Sequence, residues 1–431
     1  MLVVIDALLV CVFVFFYVGL FYNLPILAAG VRDFRRYTKR STRKVSLDKK
    51  SLPSFSIVLP VKNEKPVIDR VLSNLVNLSY PSELFEVVIV DDCSTDGTVE
   101  VCERFAAEFS NIKFYHRNVS FGKPSALNFG LTNCTGDIVG VFDADNVPEK
   151  DTLLAAAVHF RDASVAALQG RLDSLNSTQN MLTQFIAYED SVWCEAYLRG
   201  KESLGLFVHL RGCGQFIRRS VLEDLGGFDE SVIAEDIEIS ARLIEKGHRI
   251  KYTSDIRTWT ECPSTLKGFL KQRTRWFRGH MEVAIKYGSL LKNVNRITLD
   301  AEFTLMLPFV TIAAFFCFTL ASWNVFSVLS DNALLVGFLS FSAFTTSAIF
   351  LLAGITLVFY SKPARLKNLL WLPFVFGYWC LQSFLALYAA LLILFKRPSR
   401  WVKTEKSGVV SSAMFTNVFS RSIDVEKKLP V

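Results

Sequence analysis

Two aspartates one residue apart, Asp143 and Asp145, directly follow the apolar run Ile138–Phe142. Side chains just past the end of a strand need not keep its strict alternation, so one carboxylate can contact a sugar ring while the other contacts a cation. Magnesium is usually held by one or two carboxylates and completed by substrate phosphates, which makes this pair a candidate metal site. The alternative is an aspartate pair that caps a following helix, helped by Asn146 and Pro148.

Two further acidic pairs could bind a ligand or carry a proton. Asp91 and Asp92 follow an apolar run, where carboxylates can accept hydrogen bonds from a base or a ribose; equally, one residue of Ser94–Asp96 could cap the next helix. Glu235 and Asp236 open a predicted helix, and a carboxylate near a helix start is stabilised as the anion. That setting suits a cap, and it also suits a general base, which must be ionised at neutral pH.

A basic and aromatic motif follows at Gln272, Arg275 and Trp276, within the cationic stretch Lys267–Arg278. Arginine can clamp a phosphate through two parallel hydrogen bonds, and the face of tryptophan can stack on a sugar. The alternative is a basic amphipathic segment on a membrane surface, which is common close to membrane spans. The residues alone favour neither interpretation.

The acidic motifs are positioned by predicted strands and helices that alternate along the chain. The predicted strands are Ser54–Val61, Phe85–Val90, Ile112–His116 and Asp137–Phe142, and the intervening helices are Val67–Leu78, one ending at Phe109, and Pro124–Thr132. This alternation is typical of a parallel sheet with helices on both faces. Such sheets bind ligands at the carboxyl ends of their strands. The polar residues predicted at those ends are Lys62, Asn63, Asp91, Asp92, Asp143 and Asp145.

The sequence lacks the motifs of several common enzyme classes. It contains neither G-x-G-x-x-G nor a Walker sequence, so a dinucleotide oxidoreductase or a P-loop enzyme loses its main support. Its nine cysteines are scattered without a C-x-x-C pair, and its five histidines are isolated. Neither a disulfide framework nor a His- or Cys-based metal site is therefore predicted.

The composition indicates an integral membrane protein. Of the 431 residues, 51% are hydrophobic, only 21% are charged and 37 are phenylalanine. The excess lies in four uncharged runs, Ala7–Val31, Phe303–Ser330, Asn332–Ser361 and Asn368–Phe395. Each run is longer than the roughly 20 residues that cross a bilayer core. A wholly soluble or disordered chain is therefore excluded.

The segment after the first run predicts the orientation in the membrane. From Arg32 to Lys50 there are nine lysines and arginines against two aspartates, a net charge of +7. Basic residues that flank an apolar run mark its cytoplasmic side. We therefore expect a cytosolic domain and an N-terminus outside. Anionic lipid headgroups beside the anchor are the expected partner of this segment, rather than nucleic acid.

The order of the four motifs along the chain is more specific than any one of them. A strand-end acidic pair, a D-x-D, a later E-D and a Q-x-x-R-W occur in this order on one domain beside apolar runs. The set resembles that of the membrane-embedded glycosyltransferases of family 2, which include cellulose, chitin and hyaluronan synthases and their bacterial and archaeal relatives. The resemblance runs from about Pro53 to Arg278. It implies an α/β, GT-A-like domain that binds a nucleotide-sugar, with transmembrane α-helices beside it.

The resemblance implies roles for the residues on the donor side. Asp91 and Asp92 would hold the nucleoside, and Lys123, in the segment F-G-K-P-S-A-L-N, would help to bind the nucleotide. Asp143 and Asp145 would bind the nucleotide and a divalent metal, Mg²⁺ or Mn²⁺. Of these two, Asp145 would be the direct metal ligand.

On the acceptor side, the resemblance implies that Asp236 is the general base and Glu235 its neighbour. Gln272, Arg275 and Trp276 would position the diphosphate and the acceptor sugar. The base would take a proton from an acceptor hydroxyl, which attacks the anomeric carbon while the metal and the arginine stabilise the leaving diphosphate. A single displacement predicts inversion, so an α-linked donor gives a β-glycoside.

Two further segments are similar to parts of these synthases. Gly212-Cys213-Gly214 is similar to the glycine-containing segment before the acceptor-facing helix. Trp401, Thr404 and Lys406 match a W-x-x-T-x-K/R gating loop that covers the nucleotide. A gate must be cytosolic, yet four full crossings from an outside N-terminus would leave the tail outside. The fourth run is flanked by basic residues on both sides, so it either crosses fully or is re-entrant, with Pro373 and Gly377 available for a bend.

These inferences predict five parts of the chain: an N-terminal transmembrane anchor at 1–31, a basic cytosolic linker at 32–52, a cytosolic GT-A-like domain with interface helices at 53–295, transmembrane helices at 296–396, and a cytosolic tail with the gating loop at 397–431. The chain has fewer predicted helices than the synthases, so a complete polymer channel would require a homo-oligomer.

Three functions remain open on the sequence. The leading one is an inverting transferase that moves a sugar from a UDP-sugar to a growing β-linked polysaccharide or glycan, with coupled export through the membrane. The second is transfer of one sugar to a polyprenyl phosphate or another lipid. The Q-x-x-R-W motif favours the synthases over this second function. The third is a membrane transporter or scaffold, although no apolar run carries the internal ionisable residue that ion pathways usually need. The sequence does not name the sugar.

Overall fold

The computed structural model describes residues 2–37, 51–288, 294–326 and 366–398, together with short pieces between 336 and 348 and residues 406 and 408. The strands are β1 (Phe55–Val61), β2 (Phe85–Asp91), β3 (Ile112–His116), β4 (Ile138–Val141), β5 (Val147–Pro148), β6 (Val165–Ser174), β7 (Gln215–Arg218) and β8 (Arg249–Thr260). The helices are α1 (Leu2–Tyr37), α2 (Lys65–Leu75), α3 (Thr98–Glu108), α4 (Lys123–Thr132), α5 (Thr152–Phe160), α6 (Met181–Val192), α7 (Arg199–Leu204), α8 (Arg219–Asp224), α9 (Glu235–Glu245), α10 (Leu266–Tyr287), α11 (Arg296–Leu305), α12 (Leu307–Phe326) and α13 (Leu372–Leu394). A π-helical segment, Trp193–Leu198, joins α6 to α7.

The eight strands form one mixed sheet in the order β3-β2-β1-β4-β7-β6-β8-β5. β1 pairs in parallel with β2 and β4, and β2 pairs in parallel with β3. β7 runs antiparallel to both β4 and β6, whereas β6 and β8 are parallel. The predicted alternation of parallel strands and helices is therefore confirmed for the first half of the sheet. The second half adds antiparallel pairs that the strand–helix alternation did not indicate.

Helices cover both faces of the sheet. Successive residues of a strand point to opposite faces, so alternate residues pack against the helices of each face. Ile57 and Leu59 of β1 belong to a buried cluster that includes the apolar sides of α2, α3 and α5. Val58, between them, belongs to a second cluster that includes residues of α4, α9 and the π-helical segment. Every residue of β2 is buried, which is typical of a parallel strand enclosed on both faces.

Among the described residues, two helices are long and apolar enough to cross a membrane, at Phe13–Tyr37 and Leu369–Leu394. A third candidate is the pair α11 and α12, which passes the same test together but is bent by 55°. Three of the four predicted apolar runs therefore correspond to apolar helices. The remaining run, Asn332–Ser361, lies largely outside the described residues. Pro373 and Gly377, which the re-entrant alternative would use for a bend, do not interrupt α13: the proline occupies the first turn and the helix continues past the glycine.

The N-terminal helix extends past residue 31 and packs directly on the sheet domain, by which we mean residues 51–288. Gly30 and Gly200 allow the two backbones to touch: a Cβ atom at Gly30 would lie 1.8 Å from the carbonyl oxygen of Ala196, and one at Gly200 would lie 2.0 Å from that of Ile26. Small residues permit this kind of close helix approach in membrane proteins. The last turn of the helix adds a hydrogen bond from the Tyr37 hydroxyl to the Asp255 carboxylate at 2.8 Å.

Candidate functional site

The direction of the strands brings the predicted site residues to one edge of the sheet. β1, β2 and β4 are parallel, so the residues that follow them lie at the same edge. β7 is antiparallel to β4 and begins with Gln215 opposite Val141, near the end of β4. The preceding segment Gly212–Gly214 therefore lies at this edge too. β8, parallel to β6, also ends here, at Thr260.

Asp91 and Asp92 have different surroundings at the end of β2. The Asp92 carboxylate accepts hydrogen bonds from Arg117, from the Ser120 hydroxyl at 2.6 Å and from the Gly122 amide at 2.9 Å. Burial alone would raise the pKa of Asp92, but these hydrogen bonds lower it below its ordinary value. Asp92 therefore fixes the loop that leads into α4.

Asp91 is fully buried and uses one oxygen, Oδ2, for contacts with the protein. This oxygen accepts a hydrogen bond from the Ser94 amide at 3.0 Å and lies 2.8 Å from Nδ1 of His116. The other oxygen, Oδ1, is buried and has no hydrogen-bond partner within the described part of the chain. A buried acceptor without a donor is costly, so this oxygen has hydrogen-bonding capacity that the described protein groups leave unused.

Lys123, the first residue of α4, joins two of the predicted acidic motifs. Its ammonium lies 2.7 Å from Asp143 and 2.9 Å from Glu235, and it donates to the carbonyl of Gly212 at 3.1 Å. Burial opposes the charged form of the lysine, but the two carboxylates outweigh this effect and raise its pKa above the ordinary value. The D-x-D and the E-D motif therefore share one largely shielded cation, whose side chain is 15% exposed.

Asp145 is buried at the opposite end of the same motif. It accepts hydrogen bonds from the Thr260 hydroxyl at 2.7 Å, from the Glu261 amide at 3.0 Å and from the Lys406 ammonium at 2.7 Å. Burial would raise the pKa of Asp145, but the positive charge of Lys406 and these hydrogen bonds hold it below its ordinary value. The contacts of Asp143 and Asp145 are with residues distant in sequence, so the alternative of a local helix cap does not account for them.

Glu235 and Asp236 are the first two residues of α9, as the sequence predicts. One oxygen of Asp236 accepts the backbone N–H of Ile237 at 2.8 Å. Burial and the neighbouring charge of Glu235 raise the pKa of Asp236 to about 7, although the charge of Lys123 acts in the opposite direction. A carboxyl with a pKa near the working pH can accept a proton and release it again, which is what a general base requires.

Gln272, Arg275 and Trp276 lie on α10. The side-chain oxygen of Gln272 is buried and no described residue donates a hydrogen bond to it. Burial lowers the pKa of Arg275, and three nearby carboxylates oppose that change, those of Glu235, Asp143 and Asp236. The arginine is therefore within electrostatic reach of both acidic motifs. Trp276 is 37% exposed, so part of its ring remains accessible.

The predicted gating loop is described only in part, since Trp401 and Thr404 lie outside the described residues. Lys406 bridges Asp145 and the carbonyl oxygen of Glu261, at 2.7 Å from each. Gly408 is in the left-handed backbone region, and a Cβ atom there would come within 2.7 Å of the Pro66 carbonyl oxygen. These two residues of the tail thus contact the same edge of the sheet as the acidic motifs.

The two carboxylates of the D-x-D motif are compatible with a bound divalent cation. Asp143 and Asp145 each hold an ammonium group, from Lys123 and Lys406, so positive charge is already favoured at both carboxylates. No group of three or more His, Cys, Asp or Glu side chains suited to a metal occurs in the described ranges. Two carboxylates fit Mg²⁺ or Mn²⁺ when substrate phosphates complete the coordination shell.

Sequence reasoning missed several residues of this edge. Thr260 and Glu261 contact Asp145 or Lys406, and Arg70 of α2 lies 3.8 Å from the Glu261 carboxylate. The rule that polar residues follow strands would have identified the first two, had β8 been recognised. Arg70 carries no comparable signal, because a single arginine on an amphipathic helix is ordinary.

Residues 53–279, which are 227 of the 431 residues, match the family profile described as "Glycosyltransferase like family 2". Over 403 residues the chain is 29% identical to a protein of Bacillus subtilis (strain 168) named "Probable glycosyltransferase YdaM", covering 90% of this chain and 95% of that one.

Two relatives have more specific names. The chain is 35% identical over 248 residues to the beta-monoglucosyldiacylglycerol synthase of Nostoc sp. (strain PCC 7120), covering 56% of this chain and 52% of that one. It is 30% identical over 254 residues to the poly-beta-1,6-N-acetyl-D-glucosamine synthase of Staphylococcus aureus (strain COL), covering 58% and 60%. The matched part thus spans about half to three fifths of the length of these two relatives.

Among solved structures, the fold is similar to that of a mannosyltransferase, PcManGT from Pyrobaculum calidifontis, in complex with GDP-Man and Mn²⁺. The TM-score is 0.59 and the sequence identity 21%, over 89% of this chain and 100% of that one. The GT-A-like architecture expected from the motifs is therefore confirmed.

Proposed function

Because the chain belongs to glycosyltransferase family 2, we propose that it transfers a hexose from a UDP-sugar to an acceptor hydroxyl at the membrane, with inversion at the anomeric carbon. Its dependence on a nucleotide-sugar follows from the family. The finer proposal concerns the donor, the acceptor and the residues that carry the reaction.

One observation supports the assignment of residues above all others: the Lys123 ammonium lies within 3 Å of carboxylates from both Asp143 and Glu235. The D-x-D is expected to face the diphosphate of the donor, and the E-D pair is expected to face the acceptor. A transferase needs these two groups at one point, since the reacting carbon lies between them. Asp236, beside Glu235, then acts where the acceptor hydroxyl must lie.

The reaction proceeds as a single displacement. Asp236 accepts the proton of the acceptor hydroxyl as its oxygen forms a bond to the anomeric carbon, and the bond from that carbon to the diphosphate breaks. Negative charge develops on the leaving diphosphate, and the guanidinium of Arg275 stabilises it together with Lys123. Asp91 and Asp92 bind the nucleoside, and Gln272 and Trp276 orient the acceptor.

Asp145 and Asp143 are the residues that would hold a divalent cation. When bound, Mg²⁺ or Mn²⁺ supplies positive charge to the diphosphate. Asp145, with its lowered pKa, stays ionised at neutral pH, as a ligand of a hard cation must.

The leading acceptor is the end of a growing β-linked glycan, for which an exposed aromatic ring such as Trp276 provides a stacking surface. A lipid acceptor, to which one sugar is added, is the second candidate. It is favoured by the exposed apolar and aromatic side chains of α13, among them Phe374, Trp379 and Phe384, on a helix that packs against α10. One relative is named for a diacylglycerol product.

The enzyme is proposed to be a multi-pass protein of the cell membrane with its sheet domain in the cytosol, where nucleotide-sugars are available. The net charge of +7 between Arg32 and Lys50 supports this orientation, and anionic membrane lipids are the partners that it implies.

The test uses the full chain in detergent with Mg²⁺ or Mn²⁺ and a panel of UDP- and GDP-sugars, with diacylglycerol or polyprenyl phosphate added in parallel. Nucleotide release and product mass are recorded together. Release from one donor with a long product supports glycan extension and names the sugar, whereas a lipid heavier by one hexose supports the second candidate. No release from any donor, with all lipids supplied, would refute the proposal.

A further inference from the structure

A polar cluster outside the candidate site connects the apolar helix α13 to the helix that carries Trp276. Its centre is the carboxylate of Glu189, on α6. The hydroxyl of Tyr378 donates to this carboxylate at 2.6 Å, and the side-chain amide of Gln382 donates to its other oxygen at 2.9 Å. Tyr378 and Gln382 are one helical turn apart on α13, so both reach the same carboxylate from one face.

The cluster also holds Arg273, which lies within the Q-x-x-R-W motif but is not one of its named residues. The Arg273 guanidinium donates to Glu189 at 2.5 Å and to the Tyr378 hydroxyl at 3.4 Å. The arginine is only 7% exposed. Burial of this charge is tolerated because a carboxylate and two aromatic rings surround it.

Arg273 in turn sets the position of Trp276. Its guanidinium carbon lies 4.5 Å from the centroid of the Trp276 ring and 5.4 Å from that of Phe269. A cation close to an aromatic face is attracted by the ring's electron density, and the attraction is larger where water is excluded. The orientation of the tryptophan therefore depends on where Glu189 holds the arginine.

The composition of α13 makes this connection informative. The helix is apolar along its length and contains no charged residue, so a buried glutamine within it is costly unless it is hydrogen-bonded. A helix that served only as a membrane span would have no need of the two polar groups that Glu189 satisfies. Apolar contacts of Phe185 and Phe269 with the Tyr378 ring surround the cluster.

We infer that Tyr378 and Gln382 are positioning residues for the acceptor, acting on Trp276 through Glu189 and Arg273. The inference rests on the proposed function, in which Trp276 contacts the acceptor. It assigns to α13 a part in the reaction: the helix that faces the lipid also fixes the acceptor-binding ring. The described contacts of Asp91 and Asp92, to which the proposed function assigns the nucleoside, are with residues outside this cluster.

The test compares Tyr378→Phe and Gln382→Leu in the full-length enzyme. Each variant removes one donor to Glu189 while keeping side-chain size, and the leucine is apolar within an apolar helix, so it is compatible with folding. We expect the KM for the acceptor to rise about tenfold, as for the loss of a hydrogen bond to a charged group. The KM for the donor and the slow release of nucleotide without acceptor should remain at the wild-type level.

Ser383→Ala is the matched control, because Ser383 neighbours Gln382 on the same helix and its hydroxyl donates to the Trp379 carbonyl within that helix at 3.1 Å; its kinetic constants should not change. An unchanged acceptor KM in both variants, or an equal change in donor and acceptor constants, would overturn the inference. Trp276→Ala is measured alongside. If that variant keeps the wild-type acceptor KM, the assignment of Trp276 in the proposed function fails, and this outcome is distinct from failure of the cluster.

Discussion

The pKa of Asp236 is set by opposing effects, one of which comes from Lys123. Burial and Glu235 raise the pKa of Asp236 to about 7, and the ammonium of Lys123 limits that increase. A base must be ionised to accept a proton. The transfer rate at saturating donor is therefore expected to rise with pH through about 7 and to level off above it, as measured by nucleotide release between pH 5.5 and 9.

Asp236→Asn removes the base but keeps its shape. Transfer should fall by a factor of about 10² to 10⁴, while the affinity for the nucleotide, measured by calorimetry, should stay the same. Since the folded-state pKa of the aspartate lies above the unfolded value, its stabilising protonation is complete below about pH 4 and is lost as the pH rises through about 7. The asparagine variant should therefore gain thermal stability over the wild type at pH 8 but not at pH 4. Normal transfer by this variant would remove Asp236 from the mechanism.

Lys123→Met tests the electrostatic effect of the Lys123 ammonium on Asp236. Without the ammonium, the pKa of Asp236 should rise further, because a nearby positive charge favours the ionised carboxylate. The midpoint of the pH–rate profile should move upward by about one unit, in addition to any loss of donor affinity. Lys123→Arg keeps the charge, so its midpoint should remain at the wild-type value. If the wild type, Lys123→Met and Lys123→Arg all share one midpoint, Lys123 does not influence the pKa of Asp236.

The segment Gly212–Gly214 illustrates how a loop serves the site through its backbone. Gly212 has a φ of +77°, and a Cβ atom there would lie 3.2 Å from Oδ2 of Asp236 and 3.5 Å from the Lys123 ammonium. Gly212→Ala should therefore displace these groups and reduce transfer by about 10- to 100-fold, as expected for a displacement of about 1 Å.

Gly205 provides the control for this substitution. It also has a positive φ, +63°, at the end of α7, but a Cβ atom there would meet nothing within 4 Å. Gly205→Ala should cost about 1 kcal/mol of stability through its backbone alone and leave transfer unchanged. Equal loss of activity in both variants would show that backbone strain, and not the contact with Asp236, is responsible.

The elements that position the donor side could be predicted from sequence because their pattern is local. β1 and β2 are short apolar runs closed by polar residues, and α2 and α3 follow them at short spacing. The strand-end rule then places Asp91 and Asp143 at one edge without further information. β6, β7 and β8 were not recognised, because their pairings join residues far apart in sequence: β7 is antiparallel to β4 and β6, and β6 is parallel to β8.

Long separation in sequence also explains which contacts of the site were not predicted. Asp145 is held by Thr260 and Lys406, and Arg273 is held by Glu189, in each case by residues more than eighty positions away. No spacing rule connects such partners. A motif can identify Asp145 as a candidate ligand, but only the fold shows the charge that surrounds it.

Three distant parts of the chain meet at one buried ion pair, between Lys201 of α7 and Asp300 of α11. The ammonium lies 2.8 Å from both oxygens of the aspartate, and both side chains are fully buried. Asp300 also accepts hydrogen bonds from the Tyr22 hydroxyl of α1 at 2.7 Å and from the Phe207 amide at 2.7 Å. The pair thus ties the N-terminal apolar helix and the bent pair α11 and α12 to the sheet domain.

The contribution of this pair to stability can be measured because only one partner needs to change. Asp300→Asn leaves the Lys201 ammonium buried without a compensating charge, so unfolding should become easier by about 3 kcal/mol. In the double variant Lys201→Met with Asp300→Leu no charge remains to be compensated, and much of the lost stability should return. Asp69→Asn is the control: its ion pair with Arg104 is 59% exposed on each side, so it should change stability by less than about 1 kcal/mol. Thermal unfolding in detergent measures all four proteins. A double variant no more stable than Asp300→Asn would mean that the hydrogen bonds to Tyr22 and Phe207, rather than the charge pair, hold the apolar helices to the sheet domain.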